Sequence, residues 1–416
     1  MDIHKKIKAG ALQYVLIISI IIAIILLGFI LYINVQQKVT LKNKFFKEAI
    51  INVANGFAYQ SQKSIPLNQK ITQNFSNNLQ ERTTLMRKSW GIFDLAFTAS
   101  KVKKEYFSKV ALMGWKTRKS KALYLKDNNT PLVVVGQTKI VGDVFLPTQG
   151  IKTGNIAGNS FNGSELFLGR EFKSKSSLPI LQNKHLISRW SNADFFSGDH
   201  TFFDLKDGMK LTNSFTAPTL VQSNDLGLVL SNIELTGNIV ISSKSKIVIE
   251  RSSKLKDLIL IAPEIIIRRG VEGNFQCFAS KNIIVNENCS LSYPSALILL
   301  SKVSDKDNSI EIKQNTAITG CIVYDYENKV LRSFYTPQIR ISDNVTISGE
   351  VYCNGNIELL GTVKGTVFTS NFVTNQYGST YVNHIYNGKI LYNQLHEKFS
   401  GLNIDAKNSR VIKWLY

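Results

Sequence analysis

The chain has 416 residues, 44% of them hydrophobic, and a formal charge of +20 from 50 Lys+Arg against 30 Asp+Glu. That hydrophobic share, with only 8 prolines, excludes a mainly disordered chain. The 4 cysteines, all beyond residue 276, are too few for a disulfide framework.

Residues 1–10 form a short basic leader or cytoplasmic tail carrying Lys5, Lys6 and Lys8. No charge occurs from Ala9 to Gln37, and Tyr14–Ile33 is almost purely aliphatic. About 20 helical residues cross the ~30 Å bilayer core, so 11–37 reads as one retained transmembrane helix. Lys38, Lys42, Lys44 and Lys47 follow it, so the positive-inside count is nearly balanced. A short basic tail is hard to translocate, which favours a cytoplasmic N-terminus, an inner-membrane location and an extracytoplasmic bulk. The segment Lys8-Ala9-Gly10-Ala11-Leu12-Gln13-Tyr14-Val15-Leu16 resembles the start of minor pilins and pseudopilins. The resemblance implies leader cleavage between Gly10 and Ala11; the acidic residue common at the fifth mature position is replaced here by Val15. Phe45, Phe46, Ala49, Ile50, Val53, Ala54 and Phe57 then recur at helical spacing, extending the helix through 38–60. That stripe must pack either on the protein's own body or in the shaft of a filament.

Residues 61–80, rich in Asn and Gln, read as a linker. A basic β-rich region with long loops follows over 81–225, with WGIFDLAF and YFSKVALMGW as strands. Lys101, Lys103, Lys104, Lys116, Arg118, Lys119 and Lys121 stand near Trp90, Phe93, Tyr106 and Trp115. Such a face suits an anionic polymer (glycan, DNA or lipid head groups); a solvated lysine-rich surface explains the same residues. Residues 145–225, including Asp194-Phe195-Phe196 and Thr201-Phe202-Phe203-Asp204, read as mixed strands and loops.

Over 226–374 apolar pairs recur at i, i+2: Ile247/Ile249, Ile265/Ile267, Ile283/Val285, Ile310/Ile312, Ile339/Ile341 and Ile357/Leu359. Each pair points to one face of a strand, and repetition at a short period predicts a parallel β-helix. Ser301–Ser309 and Asp325–Pro337 read as loops leaving the coil. A second motif, apolar-x-Gly-x-apolar, occurs at 235–239, 318–322, 347–351 and 363–367, with an outlying copy at 140–144. Its glycine suits a tight corner. These repeats resemble bactofilin-type polymer-forming β-helices, which implies self-association. The aromatic tail 375–416 is expected to cap the body, since Trp414-Leu415-Tyr416 would otherwise expose an apolar patch.

No catalytic, cofactor or metal constellation is apparent. Glu311, Arg340 and Glu358 occupy equivalent rung positions and predict an outward ion-pair row. His4, His185, His200, His384 and His396 lack ligand spacing, and Gly198-Asp199-His200 reads as a turn. Cys277, Cys289 and Cys353 read as buried thiols, with oxidation to a disulfide left open.

The sequence thus predicts a mainly β protein: a transmembrane helix, a β-rich domain and a parallel β-helix (solenoid). The expected role is structural rather than enzymatic, in an envelope filament or secretion machine. The expected partners are the membrane, other filament subunits through the helix, an anionic polymer and further copies of the chain. A carbohydrate-active β-helix enzyme and a membrane-tethered bactofilin-like scaffold are the alternatives.

Overall fold

The computed structural model describes residues 9–63, 65–75, 81–116, 121–190, 200–328, 335–406 and 408–415. Two compact units emerge: Met1–Ala58 with Lys70–Leu85 and Thr98–Ser108, and Tyr59–Gln69 with Met86–Phe97 and Lys109–Tyr416.

The first unit is built on α1, a 54-residue helix, Ala9–Gln62, whose final residues from Tyr59 count with the second unit. At ~1.5 Å per residue it measures about 81 Å. The absence of proline lets it run unbroken from the aliphatic segment into the amphipathic one. Ala49, Val53 and Phe57 are buried. Gly56 lies so close to its neighbours that a Cβ there would meet Thr98 Cγ2 at 2.5 Å and Leu85 Cδ2 at 2.8 Å. Nearby, Thr83 Oγ1 lies 2.9 Å from Ser100 Oγ, and Phe46 meets Phe107 edge-on at 5.9 Å. The stripe on 45–57 therefore packs, at least on this face, against the chain's own strands.

The strands β1 (Lys70–Gln73), β2 (Glu81–Trp90), β3 (Phe93–Val102) and β4 (Glu105–Trp115) fall in the region read as linker and basic domain. WGIFDLAF is not one strand: Trp90 ends β2, and Gly91 turns the chain at φ +66° before Phe93 begins β3. An L side chain disfavours that φ, so the glycine breaks an otherwise uniform apolar run.

In the second unit the strands from Lys121 onward pair mainly in parallel and close into one barrel-like system. The apolar pairs lie in register: Ile247, Ile265, Ile283, Ile310, Ile339 and Ile357 form a single file of successive partners. Their side chains are buried in one continuous core. β-Branched residues on the pleated face fill that core at a strand spacing of about 4.8 Å. The glycine motif forms a second file, in which Gly320, Gly349 and Gly365 are direct partners with φ near +154°.

The parallel pairing is not confined to 226–374. Residues 210–224 pair with 234–243, and 121–125, 139–146 and 171–173 join beyond 362–391. The outlying motif copy at 140–144 stacks in the same files as the copy at 363–367, with one rung between them: Val363 pairs with Ile390, and Ile390 with Ile140. Chain order and stacking order therefore differ. Residues 174–190, ending in the short helix α2 (Lys184–Trp190), return along the flank. Along this return, Lys175 N donates to Tyr124 Oη, Tyr352 Oη donates to Pro179 O, and Trp190 packs edge-on against Trp90.

Two loop expectations shift. Strands continue to Val303 and Asn328, past Ser301 and Asp325, where the expected loops begin. Parallel partners explain the extension, since Ser301 pairs with Tyr326 and Val303 with Asn328. The tail packs within the second unit: Ser409–Leu415 runs antiparallel to β4 between Val110 and Trp115.

Candidate functional site

Three features stand out as surfaces for interaction. The first is the leading half of α1. From Leu12 to Leu41 its large apolar side chains are exposed, including Leu16, Ile22, Phe29 and Ile33. Among the described residues it is the one helix long and apolar enough to cross a membrane. Gly10 and Ala11 lie in its first turn, and a methyl group added at Gly10 would meet nothing within 4 Å.

The basic residues form the second feature, and they divide between the two units. Lys101, Lys103 and Lys104 belong to the first unit, where Lys103 turns at φ +53° and holds its ammonium 4.4 Å from the Phe45 ring centre. Lys116 and Lys121 belong to the second unit, and Arg118 and Lys119 lie outside the described residues. Lys121 is 3.6 Å from Asp405 and sits over the Phe145 ring at 5.0 Å. Of the aromatics expected to accompany them, Trp90 and Phe93 are buried and only Tyr106 is well exposed.

The third feature is the polar row. Glu311, Arg340 and Glu358 are successive partners, as their spacing predicts. Arg340 Nη1 donates to Glu311 Oε1 at 2.9 Å, while Glu358 accepts from Asn375 N at 2.8 Å. Partial burial raises the Glu358 carboxyl above its ordinary value, against the pull of the Asn375 N–H and Arg340. The row is engaged in holding adjacent strands together.

Sequence reasoning missed two deeply buried charges of the second unit, Arg87 and Asp94. Arg87 Nη2 donates to Gln60 O at 3.0 Å and Ser409 Oγ at 2.6 Å, and Arg87 stands 3.7 Å from Asp94. Burial raises the Asp94 carboxyl to about 6, with Arg87 opposing, and burial also lowers Arg87, with Asp94 opposing. Both shifts mean that the long ion pair does not offset desolvation. A lone acid within WGIFDLAF was the available signal.

Cys277, Cys289, Cys321 and Cys353 are free and buried. Burial pushes the Cys277, Cys321 and Cys353 thiols far up, so none of these is poised as a nucleophile. Among the described residues no three His, Cys, Asp or Glu side chains gather as metal ligands. His384 Nδ1 contacts Val382 O at 2.7 Å, and His200 packs on Phe202; Gly198, Asp199 and Asp194–Phe196 lie outside the described residues.

No family model and no curated protein matches the sequence. Among solved structures, the competence-associated pilin ComZ from Thermus thermophilus aligns over 90% of this chain and 95% of its own, at 8% identity and a TM-score of 0.23. At that score the likeness carries no argument about fold or function.

Proposed function

We propose that the chain is a membrane-anchored structural component of the cell envelope, of minor-pilin or pseudopilin type. In this reading α1 sits in the inner membrane with its N-terminus cytoplasmic, and the β body is displayed outside. The parallel files of the second unit then wind as a β-helix, a rigid head rather than a catalytic scaffold.

One observation carries the reading: a single helix is fully exposed and apolar over its first half, then docks one stripe on the chain's own strands. An exposed apolar surface of that extent needs lipid or other helices around it. The same design lets the helix leave the bilayer and join neighbouring helices without unfolding the body.

Intact mass of the native protein, extracted from its own membranes, tests this. A mass lacking residues 1–10 is expected, marking cleavage between Gly10 and Ala11. A full-length mass would leave a plain membrane anchor and remove the filament assignment.

A further inference from the structure

In the second unit, residues 384–386, 132–135 and 151–153 pair in parallel as one three-stranded sheet. Alternation along these strands sends Val134 and Ile385 into the main core. Val133 and Val135 face the other way and are buried with Ile156 in a small cluster of their own, against which Tyr381 and Tyr386 pack. Two hairpins bring further groups to the same place: one, 155–160, supplies Asn159, and the other, 373–382, turns at Tyr377-Gly378. Tyr377 Oη accepts from Asn159 Nδ2 at 3.4 Å. A hydrogen bond between the Tyr377 and Tyr386 hydroxyls raises the Tyr386 phenol above its ordinary value. The Tyr381 ring centre lies 5.6 Å from that of His384.

Tyr377 is the outlier in this group. It holds φ +52° beside Gly378 at +77°, in a tight turn whose first position suits Asn or Gly. A β-carbon disfavours that conformation, yet the ring it carries is 65% exposed instead of packed. Packing does not offset the strain, so an aromatic ring held out at the tip points to a ligand. His384 Nδ1 must donate in its 2.7 Å contact with Val382 O, because a carbonyl only accepts; in the neutral imidazole Nε2 is then the acceptor. The patch thus offers ring faces, phenol hydroxyls, an amide and an imidazole acceptor, with no carboxylate, ammonium or guanidinium among them.

We propose that this patch binds a neutral glycan whose pyranose rings carry equatorial hydroxyls. Such a ring shows a flat C–H face, which stacks on Tyr377, while Asn159, the phenols and His384 Nε2 meet its hydroxyls. An acidic glycan or a phosphodiester chain finds no cation in this set. A protein partner fits less well: tyrosines that anchor proteins fill desolvated pockets, whereas Tyr377 stands beside Gly378, where an added Cβ would meet nothing within 4 Å. The assignment is independent of leader cleavage, which the mass measurement reads separately.

The test is saturation-transfer NMR on the full-length protein in a detergent without a sugar head group. The protein is titrated with cellotetraose and with tetra-N-acetylchitotetraose, both neutral, and with tetragalacturonate as the comparison. Saturable binding of at least one neutral oligosaccharide is expected, without saturable binding of tetragalacturonate. Tyr377→Asn should weaken that binding about tenfold, the size of one stacked ring. Its melting temperature should equal or exceed the parent's, because Asn tolerates φ +52°. Binding of neither neutral oligosaccharide overturns the proposal. So does tetragalacturonate bound as tightly as the better of them, or a Tyr377→Asn variant that folds and binds unchanged.

Discussion

Gly349 shows how much a single residue settles. It lies between Gly320 and Gly365 in the glycine file, and a Cβ added to it would run into the Gly320 carbonyl. With φ at +154° as well, Gly349→Ala is expected to cost more than about 3 kcal/mol in chemical denaturation. Gly378→Ala, at φ +77° with open space around it, should cost only about 1 kcal/mol. Arg87 and Asp94 make the second residue-scale case. An acid whose folded pKa of about 6 exceeds the ~3.9 of an unfolded Asp stabilises the fold fully below pH ~4 and loses that contribution as pH rises through 6. The melting temperature of the parent should therefore fall relative to that of Asp94→Asn between pH 4 and about 6.5, by a difference worth up to ~3 kcal/mol. A constant difference across that range would mean that the carboxyl is not raised.

At the scale of elements, the i, i+2 pairs are legible because a strand's side chains alternate strictly, so a local pattern reports which face is buried. Ile283 sits between Ile265 and Ile310, fully buried, and Ile283→Ala should destabilise by about 2–5 kcal/mol. The helix is legible for a similar reason, its apolar run being local and continuous. Its docking contact is not, since Gly56 gives no sign in sequence that Thr98 and Leu85 press against it. Gly56→Leu should loosen the first unit and raise protease cleavage after residue 57, whereas Gly28→Leu, with nothing within 4 Å, should leave cleavage unchanged. Proximity in sequence suggested one basic face; Lys101, Lys103 and Lys104 belong to the first unit, and Lys116 and Lys121 to the second.

For the molecule as a whole, the order of strands in space departs from the order in the chain. Val367 is followed in its file by Leu123 and then Val144, so early residues complete a stack begun much later in the sequence. In-register parallel partners come close enough for a disulfide. A Leu123→Cys/Val367→Cys variant should oxidise within one chain, read as an intact monomer mass lower by two hydrogens; disulfide-linked dimers instead would show that the early strands complete a neighbour's stack.

Short-range periodicity alone was enough to read the apolar helix, the β character of the body, the in-register Ile/Val pairs and the glycine positions, including the copy at 140–144. It suffices there because side-chain direction within a strand or helix follows from local backbone geometry. Folding in three dimensions had to add that 140–144 follows 390, that Arg87 meets Asp94 and Ser409, and that residues 176–184 close a cleft against Asp325 and Asn354. These depend on which free strand edge meets which, and on packing between segments far apart in the chain. No local pattern encodes such choices; the pairing of backbone groups and the burial of one shared core select them.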